Sequence, residues 1–297
     1  MIPKTEEMDM KTLKIIIISW MLFFGCLCFN SFSQAESDVI KEPLWEIGVV
    51  GAALYIPHYR GSDEYTWWAL PMPYFIYRGD VIRATREGVR GIFFDSADFE
   101  SSISVFGNPP VPDDNEARQG MPALDALFEI GPSLKWFMLG RNPIKKLYLM
   151  GSLRAASSIN FDGGVNLEYQ GFNAELNLIY HNRQFYKSCG FKYFLKAGLN
   201  MADNKLNSYF YDVPAMYVTP ERSAFESGGG YAGFSLSASI QQDITENISI
   251  GFYSRWDNLN GAVYADSPLV REDNNVVAGC ALIWKMARSK HKVESDE

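Results

Sequence analysis

The sequence predicts an all-β fold: a transmembrane antiparallel β-barrel of about 12 strands, in the range 10–14. Three observations predict it. The first is alternation over long stretches. In the segment 172–181, Phe172, Ala174, Leu176, Leu178 and Tyr180 form one set, and Asn173, Glu175, Asn177, Ile179 and His181 the other. This is the period-2 repeat of a strand with one apolar and one polar face. A run of about ten residues crosses a bilayer at a tilt, whereas a soluble strand is usually about 5–6 residues long. The second is the placing of aromatic residues at the ends of such runs, as in the two girdles of a membrane barrel. The third is the lack, after residue 35, of any apolar run near the roughly 20 residues that a spanning helix needs. A mean hydropathy of −0.12 agrees. The competing reading is a soluble β-sandwich; strand length and aromatic ends favour the barrel.

Taken in order, the chain opens on a secretory leader. Lys11 and Lys14 precede an apolar stretch from Ile15 to Phe29, and Ser33-Gln34-Ala35 is a small-x-small cleavage site, with Ala35 the last residue removed. An uncleaved anchor helix is the alternative, disfavoured by the shortness of the apolar run. Lipidation at Cys26 is disfavoured because Phe23 and Phe24 are bulky where a lipoprotein signal needs small residues. The domains expected are 1–35 signal peptide, 36–43 a short N-terminal segment, 44–286 the barrel and 287–297 a charged, disordered tail.

The strands expected are 44–56, 67–77, 81–87, 89–95, 98–107, 126–137, 144–156, 163–170, 171–181, 191–200, 206–211, 230–242, 248–257 and 275–286, some of which merge or become loop. An even number places both termini on the periplasmic side. Short turns at 78–80 and 243–247 then face the periplasm, and the long segments 108–121, 212–229 and 258–274, rich in Pro, Gly, Asp and Asn, face outward. The net charge of −8 gives no reason to expect nucleic acid as a partner. Of the four cysteines, Cys26 and Cys28 lie in the leader; a Cys189–Cys280 bond is open but unsupported.

Three motifs depart from generic barrel sequence. The first is Tyr59-Arg60-Gly61-Ser62-Asp63 with Pro71, Pro73 and Tyr77-Arg78-Gly79-Asp80. The second is Gly120-Met121-Pro122-Ala123-Leu124-Asp125 followed by Glu129-Ile130-Gly131-Pro132. The third is Ala262 to Val270, with Asp266, Ser267 and Pro268 at its centre. Read physically, Pro71 and Pro73 belong at a strand start or bulge, because neither can donate to a ladder. Gly61, Gly79, Gly120 and Gly131 suit turns with unusual backbone angles. Asp63, Asp125 and Asp266 suit loops where a carboxylate bonds local amides. These residues either shape turns and bulges or dock a partner.

Together the three motifs, in this order behind a signal peptide, resemble the MipA/OmpV family from about Trp45 to Trp284. The resemblance implies an outer-membrane β-barrel among membrane lipids and lipopolysaccharide. It implies a non-catalytic scaffold that bridges a lytic transglycosylase and a penicillin-binding protein of the murein machinery, or a porin-like protein, with no cofactor. One departure is the end of the last strand. Barrels of this kind usually finish on an aromatic residue, yet Trp284 is followed by Lys285, Met286 and the tail.

The polar faces carry Glu129, Lys135, Lys146, Arg154, Glu168, Glu175, Lys196 and Arg255. Both signs are present, so they either pair across a packed lumen or line a conducting channel. Catalysis finds little support. The histidines are His58, His181 and His291, no nucleophile motif is present, and no metal or phosphate-loop spacing occurs. A hydrolase or acyltransferase at the barrel rim stands as a third reading, after scaffold and small channel.

Overall fold

The computed structural model describes residues 41–294 apart from 81, 86–87, 112–113, 161–164 and 186–190. The leader and its Ala35 site, the residues up to 40 and Cys189 lie outside the described residues. The elements in chain order are β1 (Lys41–Pro43), β2 (Trp45–Pro57), β3 (Tyr65–Arg78), β4 (Ile82–Thr85), β5 (Gly88–Asp95), β6 (Phe99–Asn108), β7 (Ala126–Phe137), β8 (Lys145–Asn160), β9 (Asn166–Phe185), β10 (Phe191–Ala202), α1 (Asn204–Tyr211), β11 (Gly230–Asp243), β12 (Ile248–Asn258), β13 (Asn274–Arg288) and β14 (Lys292–Glu294). Strands β2 to β13 form a closed antiparallel barrel in which sequence neighbours pair and β13 closes onto β2. Closure is what hydrocarbon demands, since a lipid-exposed sheet edge cannot satisfy its backbone groups.

Alternation sets the facing. On β7, Phe128, Ile130, Leu134 and Trp136 are exposed while Leu127, Glu129, Ser133 and Lys135 are buried. Leu176 and Leu178 on β9, Leu236 on β11, and Leu282 and Trp284 on β13 are also exposed, the last two beside the outward, free Cys280. The apolar set thus faces lipid and the polar set fills the lumen.

Three expectations need correction. The segments 163–170 and 171–181 are one strand, β9, whose pairing with β8 shifts between Ala156 and Ser157. Gly171 sits at the shift with φ +123°, and a Cβ there would run into the Asp203 carboxylate. The segment 206–211 is helix α1, not a strand. Asp203 caps it by accepting from Leu206 N at 2.9 Å, an Asx cap that outweighs the strand propensity of Tyr209, Phe210 and Tyr211. Pro71 and Pro73 lie mid-strand in β3, opposite Gly51 and Val49 of an unbroken β2–β3 ladder, rather than at a strand start or bulge. They are tolerated because alternate residues of β3 address opposite neighbours. Arg78 N donates to Leu44 O on the β2 side, so the odd-numbered positions of β3, both prolines included, turn their backbone groups away from β2.

The tail is built into the structure. Ala287 and Arg288 prolong β13, and β14 pairs with β1 through Lys41↔Glu294 and Pro43↔Lys292. This two-stranded sheet ties the segments 41–43 and 292–294 together at one rim.

Candidate functional site

The lumen has a capped end, a charged waist and a basic vestibule, each built by different sequence features. At the end away from the termini, the long loops and α1 fold over one apolar core that includes Tyr59, Val111, Leu124, Tyr211, Leu259, Tyr264 and Leu269. Expected as outward loops, they form a packed cap. The first and third motifs meet here. Tyr59 OH donates to Leu269 O at 2.8 Å, and Arg271 N and Glu272 N donate to Gly61 O at 2.7 and 3.0 Å. Ser267 Oγ donates to Tyr211 O at 2.7 Å, and Tyr211 stacks on Tyr264 with ring centroids 3.7 Å apart. Ser62 is fully buried and accepts from Asn115 Nδ2 at 3.3 Å. Burial pushes the Tyr211 phenol well up from its ordinary value and raises that of Tyr264.

The second motif supports the same cap. Gly120 has φ +78°, Met121 packs against the core, and Pro122 O accepts from Arg118 Nη2 at 3.2 Å. Arg118 is buried, which lowers its pKa, and Nη1 donates to Phe210 O at 2.8 Å. Asp125 accepts from Asn160 Nδ2 at 3.0 Å. Asp63 and Asp266 are exposed and Pro268 is half-buried. The residues that the motifs place in the wall are elsewhere. Gly131 and Pro132 interrupt the β7–β8 ladder between Ile130↔Ala155 and Ser133↔Ser152. A Cβ on Gly131 would strike the Leu153 carbonyl.

At the waist, the sequence-derived charges pair. Arg154 donates to Glu129 Oε2 at 2.9 Å, to Glu175 Oε1 at 2.7 Å and to Ser152 Oγ at 2.7 Å. Asn173 and Asn177 donate to the two carboxylates at 3.0 Å. Arg255 pairs with Asp257 at 2.8 Å, and Arg60 lies 3.6 Å from the same carboxylate. Both signs meet as expected of a packed interior. Glu168 is a correction: it lies on the exposed end of the β8–β9 hairpin, where residues 165–169 are exposed on both faces, not in the lumen.

Between waist and cap is a chamber of about 290 Å³. At the terminal end is a cavity of about 410 Å³, lined by Arg78, Arg83, Lys135, Lys146, Arg183, Lys192, Lys196 and Lys285 but only Glu42, Glu46 and Glu100 as acids. Lys135 lies 3.7 Å from Glu100, and Arg78 Nη2 lies 2.8 Å from Glu46. Arg183 pairs with Glu42 of β1, which binds the small sheet to the wall. Tyr77 stacks on Phe75 on the outer surface, and Gly79 follows in the turn below. The excess of cations here is a feature sequence reading missed. It is scattered over seven strands and shows only when the β-period of each is put in register.

The ring of His58 is engaged by Thr66 Oγ1 at 2.9 Å and Asn115 Nδ2 at 3.0 Å. Among the described residues no group of three or more His, Cys, Asp or Glu is placed to hold a metal ion.

Comparison with solved structures finds distant similarities. A bacterial polysaccharide outer-membrane secretin is 7% identical, covering 82% of this chain and 99% of its own, with a TM-score of 0.34. The Pseudomonas putida toluene transporter TodX is 9% identical, covering 80% and 87%, with a TM-score of 0.28. The outer membrane protein OprG from Pseudomonas aeruginosa is 9% identical, covering 84% and 97%, with a TM-score of 0.21. No curated protein matches the sequence. The family described as MltA-interacting protein MipA matches residues 49–286, nearly the whole barrel. The chain belongs to this MipA family and is a β-barrel protein of the outer membrane.

Proposed function

We propose that this protein is a non-catalytic scaffold of the murein machinery, holding a lytic transglycosylase at the periplasmic rim of a closed barrel. The observation that carries the reading is the asymmetry of the lumen. One end is shut by a packed cap, while the rim with the chain termini carries a basic vestibule and the β1–β14 sheet. Short turns and termini belong on the periplasmic side, so the basic rim faces the compartment where murein enzymes work. The family description names an interaction with such an enzyme, and a cationic rim steers and orients an acidic docking face. The expected cleavage after Ala35 would leave a short leader to the rim.

Two measurements on one refolded preparation test this. Immobilised protein should retain a lytic transglycosylase from a detergent extract of envelope proteins, and a penicillin-binding protein with it. Planar-bilayer conductance should be small. Lys146→Glu should weaken retention while the barrel still forms. A large, stable, ion-selective conductance with no murein enzyme retained would overturn the scaffold in favour of a small channel.

A further inference from the structure

Among the described residues, the wall of the barrel is incomplete on one side. Strand β4 joins β3 there only through Tyr77↔Ala84 and Arg78↔Arg83. Strand β5 joins β6 there only through Ile92↔Ser102, Phe94↔Ser101 and Asp95↔Glu100. Above these joins, no strand among the described residues pairs with the free side of β3 from Trp67 to Phe75, or with the free side of β6 from Ile103 to Gly107. The backbone groups turned to this seam are those of the odd-numbered β3 residues, since the even-numbered ones address β2. Pro71 and Pro73 are two of them and have no N–H to offer. A strand from another chain therefore finds a poor template here.

The seam lies at membrane depth. On the outer surface, Tyr55, Tyr65 and Trp67 cluster at one end of β3 with centroids 4.7 and 4.9 Å apart, and Phe75 stacks on Tyr77 at the other. Paired aromatic girdles bound the hydrocarbon belt of an outer-membrane barrel. The capped chamber stands behind the seam, its lining including Leu54 and Ile56 of β2 and Phe106 of β6.

The lumen face beside the seam is apolar, unlike the rest. Leu70 and Met72 fall on the same face of β3 as the lumen residues Tyr74, Ile76 and Arg78, yet they are 46% and 42% exposed. Phe106 shares its face with buried Glu100 and Ser102 and is 42% exposed. These large apolar side chains are directed inward next to the gap and are left uncovered by protein, with the Arg154 guanidinium 5.6 Å from the Phe106 ring. An open backbone edge at membrane depth is tolerated where it borders an aqueous cavity; the chamber behind the seam offers room for water to reach the backbone edge, while the apolar side chains beside it offer nothing to water.

We propose that the seam between β3 and β6 is a lateral entry for the acyl chain of a lipid from the surrounding leaflet, which lies against Leu70, Met72 and Phe106. The occupant is a membrane lipid because the opening is bounded by the aromatic girdles and the surface it offers is apolar, without a strand template.

Site-directed spin labelling in nanodiscs of a single phospholipid tests it. Three variants carry one cysteine each, with the native cysteines replaced by serine: Leu70→Cys at the seam, Leu176→Cys facing lipid and Gln241→Cys in the aqueous vestibule. Heat modifiability on gels selects folded protein. The label at position 70 should be quenched by oxygen and shielded from a water-soluble nickel chelate, as at position 176. The label at position 241 should show the reverse. A nickel-dominated response at position 70, matching position 241, would overturn the proposal by showing a sealed, wet lumen face. A position 70 label that becomes oxygen-dominated only after a long-chain fatty acid is added would also overturn it, by making the occupant a dissolved amphiphile rather than the leaflet's own lipid.

Discussion

Two arcs of the same barrel solve the problem of a lumen in opposite ways. From β7 round to β13 the ladders run nearly the full length of the strands, and the inner face is polar and cross-linked by charge. From β3 to β6 the ladders are short, two prolines lie in mid-strand, and above the joins the inner face is apolar at Leu70, Met72 and Phe106. The difference teaches that lumen polarity follows wall continuity. A closed ladder holds strands in a fixed register, so a guanidinium and two carboxylates can be aligned well enough to offset their desolvation. Where β3 and β6 lose their partners above the joins, nothing fixes such a register, and apolar side chains, which need no alignment, take the place of ion pairs; at the joins themselves Arg83 still reaches Glu100 at 3.3 Å.

Breaking the charged arc should have the largest effect. Arg154→Met leaves buried Glu129 and Glu175 without their shared partner, and removing one member of a buried pair costs about 3–5 kcal/mol. Urea unfolding in detergent, followed by tryptophan fluorescence, should show that loss. Adding Glu129→Gln and Glu175→Gln should recover part of it. A loss under about 1 kcal/mol would mean that water already satisfies these carboxylates, and the contrast between the arcs would collapse.

The second test sharpens the contrast with one substitution at two places. Leu176 and Leu70 are both large, apolar and nearly half exposed. Leu176 faces lipid on the closed arc, so Leu176→Arg should cost roughly 2–4 kcal/mol near the midplane. Leu70 lies beside the seam on the lumen-facing side of β3, from which a long arginine can carry its head group past the apolar surface to the polar lumen. Leu70→Arg should cost well under that amount in the same unfolding assay. Equal costs would show that no water stands behind the seam.

The closed arc was legible in the sequence and the seam was not, for a physical reason. Alternation reports which residues share a face, and on β7 to β13 the faces are cleanly sorted; Leu176, Arg154 and Glu175 fall where their pattern puts them. On β3 the run Trp67 to Phe75 is apolar on both faces, so alternation carries no signal. The prolines there hint at an edge, but which edge depends on partners distant in sequence. Helix α1 was hidden for another reason: the aromatic run Tyr209-Phe210-Tyr211 favours a strand, while the Asp203 cap is a single residue. The three motifs were legible as special. That two of them meet in the cap, through Tyr59 with Leu269 and Gly61 with Arg271, required the fold, since more than 200 residues separate each pair.

The smallest effect belongs to the cap, which both arcs carry but neither contains. Its tyrosines are held neutral by burial: Tyr59, Tyr211 and Tyr264 are raised, and Tyr209 is pushed up to about 12. When the cap opens, these phenols return to an ordinary value of 10.0. Below pH 10 both states keep the proton, and the cap has its full stability. Between pH 10 and the raised folded values the open state loses protons that the closed state retains, so stability falls as pH rises. Limited proteolysis of the loops at 109–125 and 203–229 should therefore increase above pH 10, while the barrel keeps its heat modifiability. Tyr264→Phe removes the 2.7 Å donation to Ala232 O and should weaken the cap by about 1 kcal/mol, raising cleavage at neutral pH as well. Tyrosinate absorbance gives the independent check: cap tyrosines should titrate late, and a single titration of all tyrosines near pH 10 would mean that the cap opens freely and does not shut the lumen.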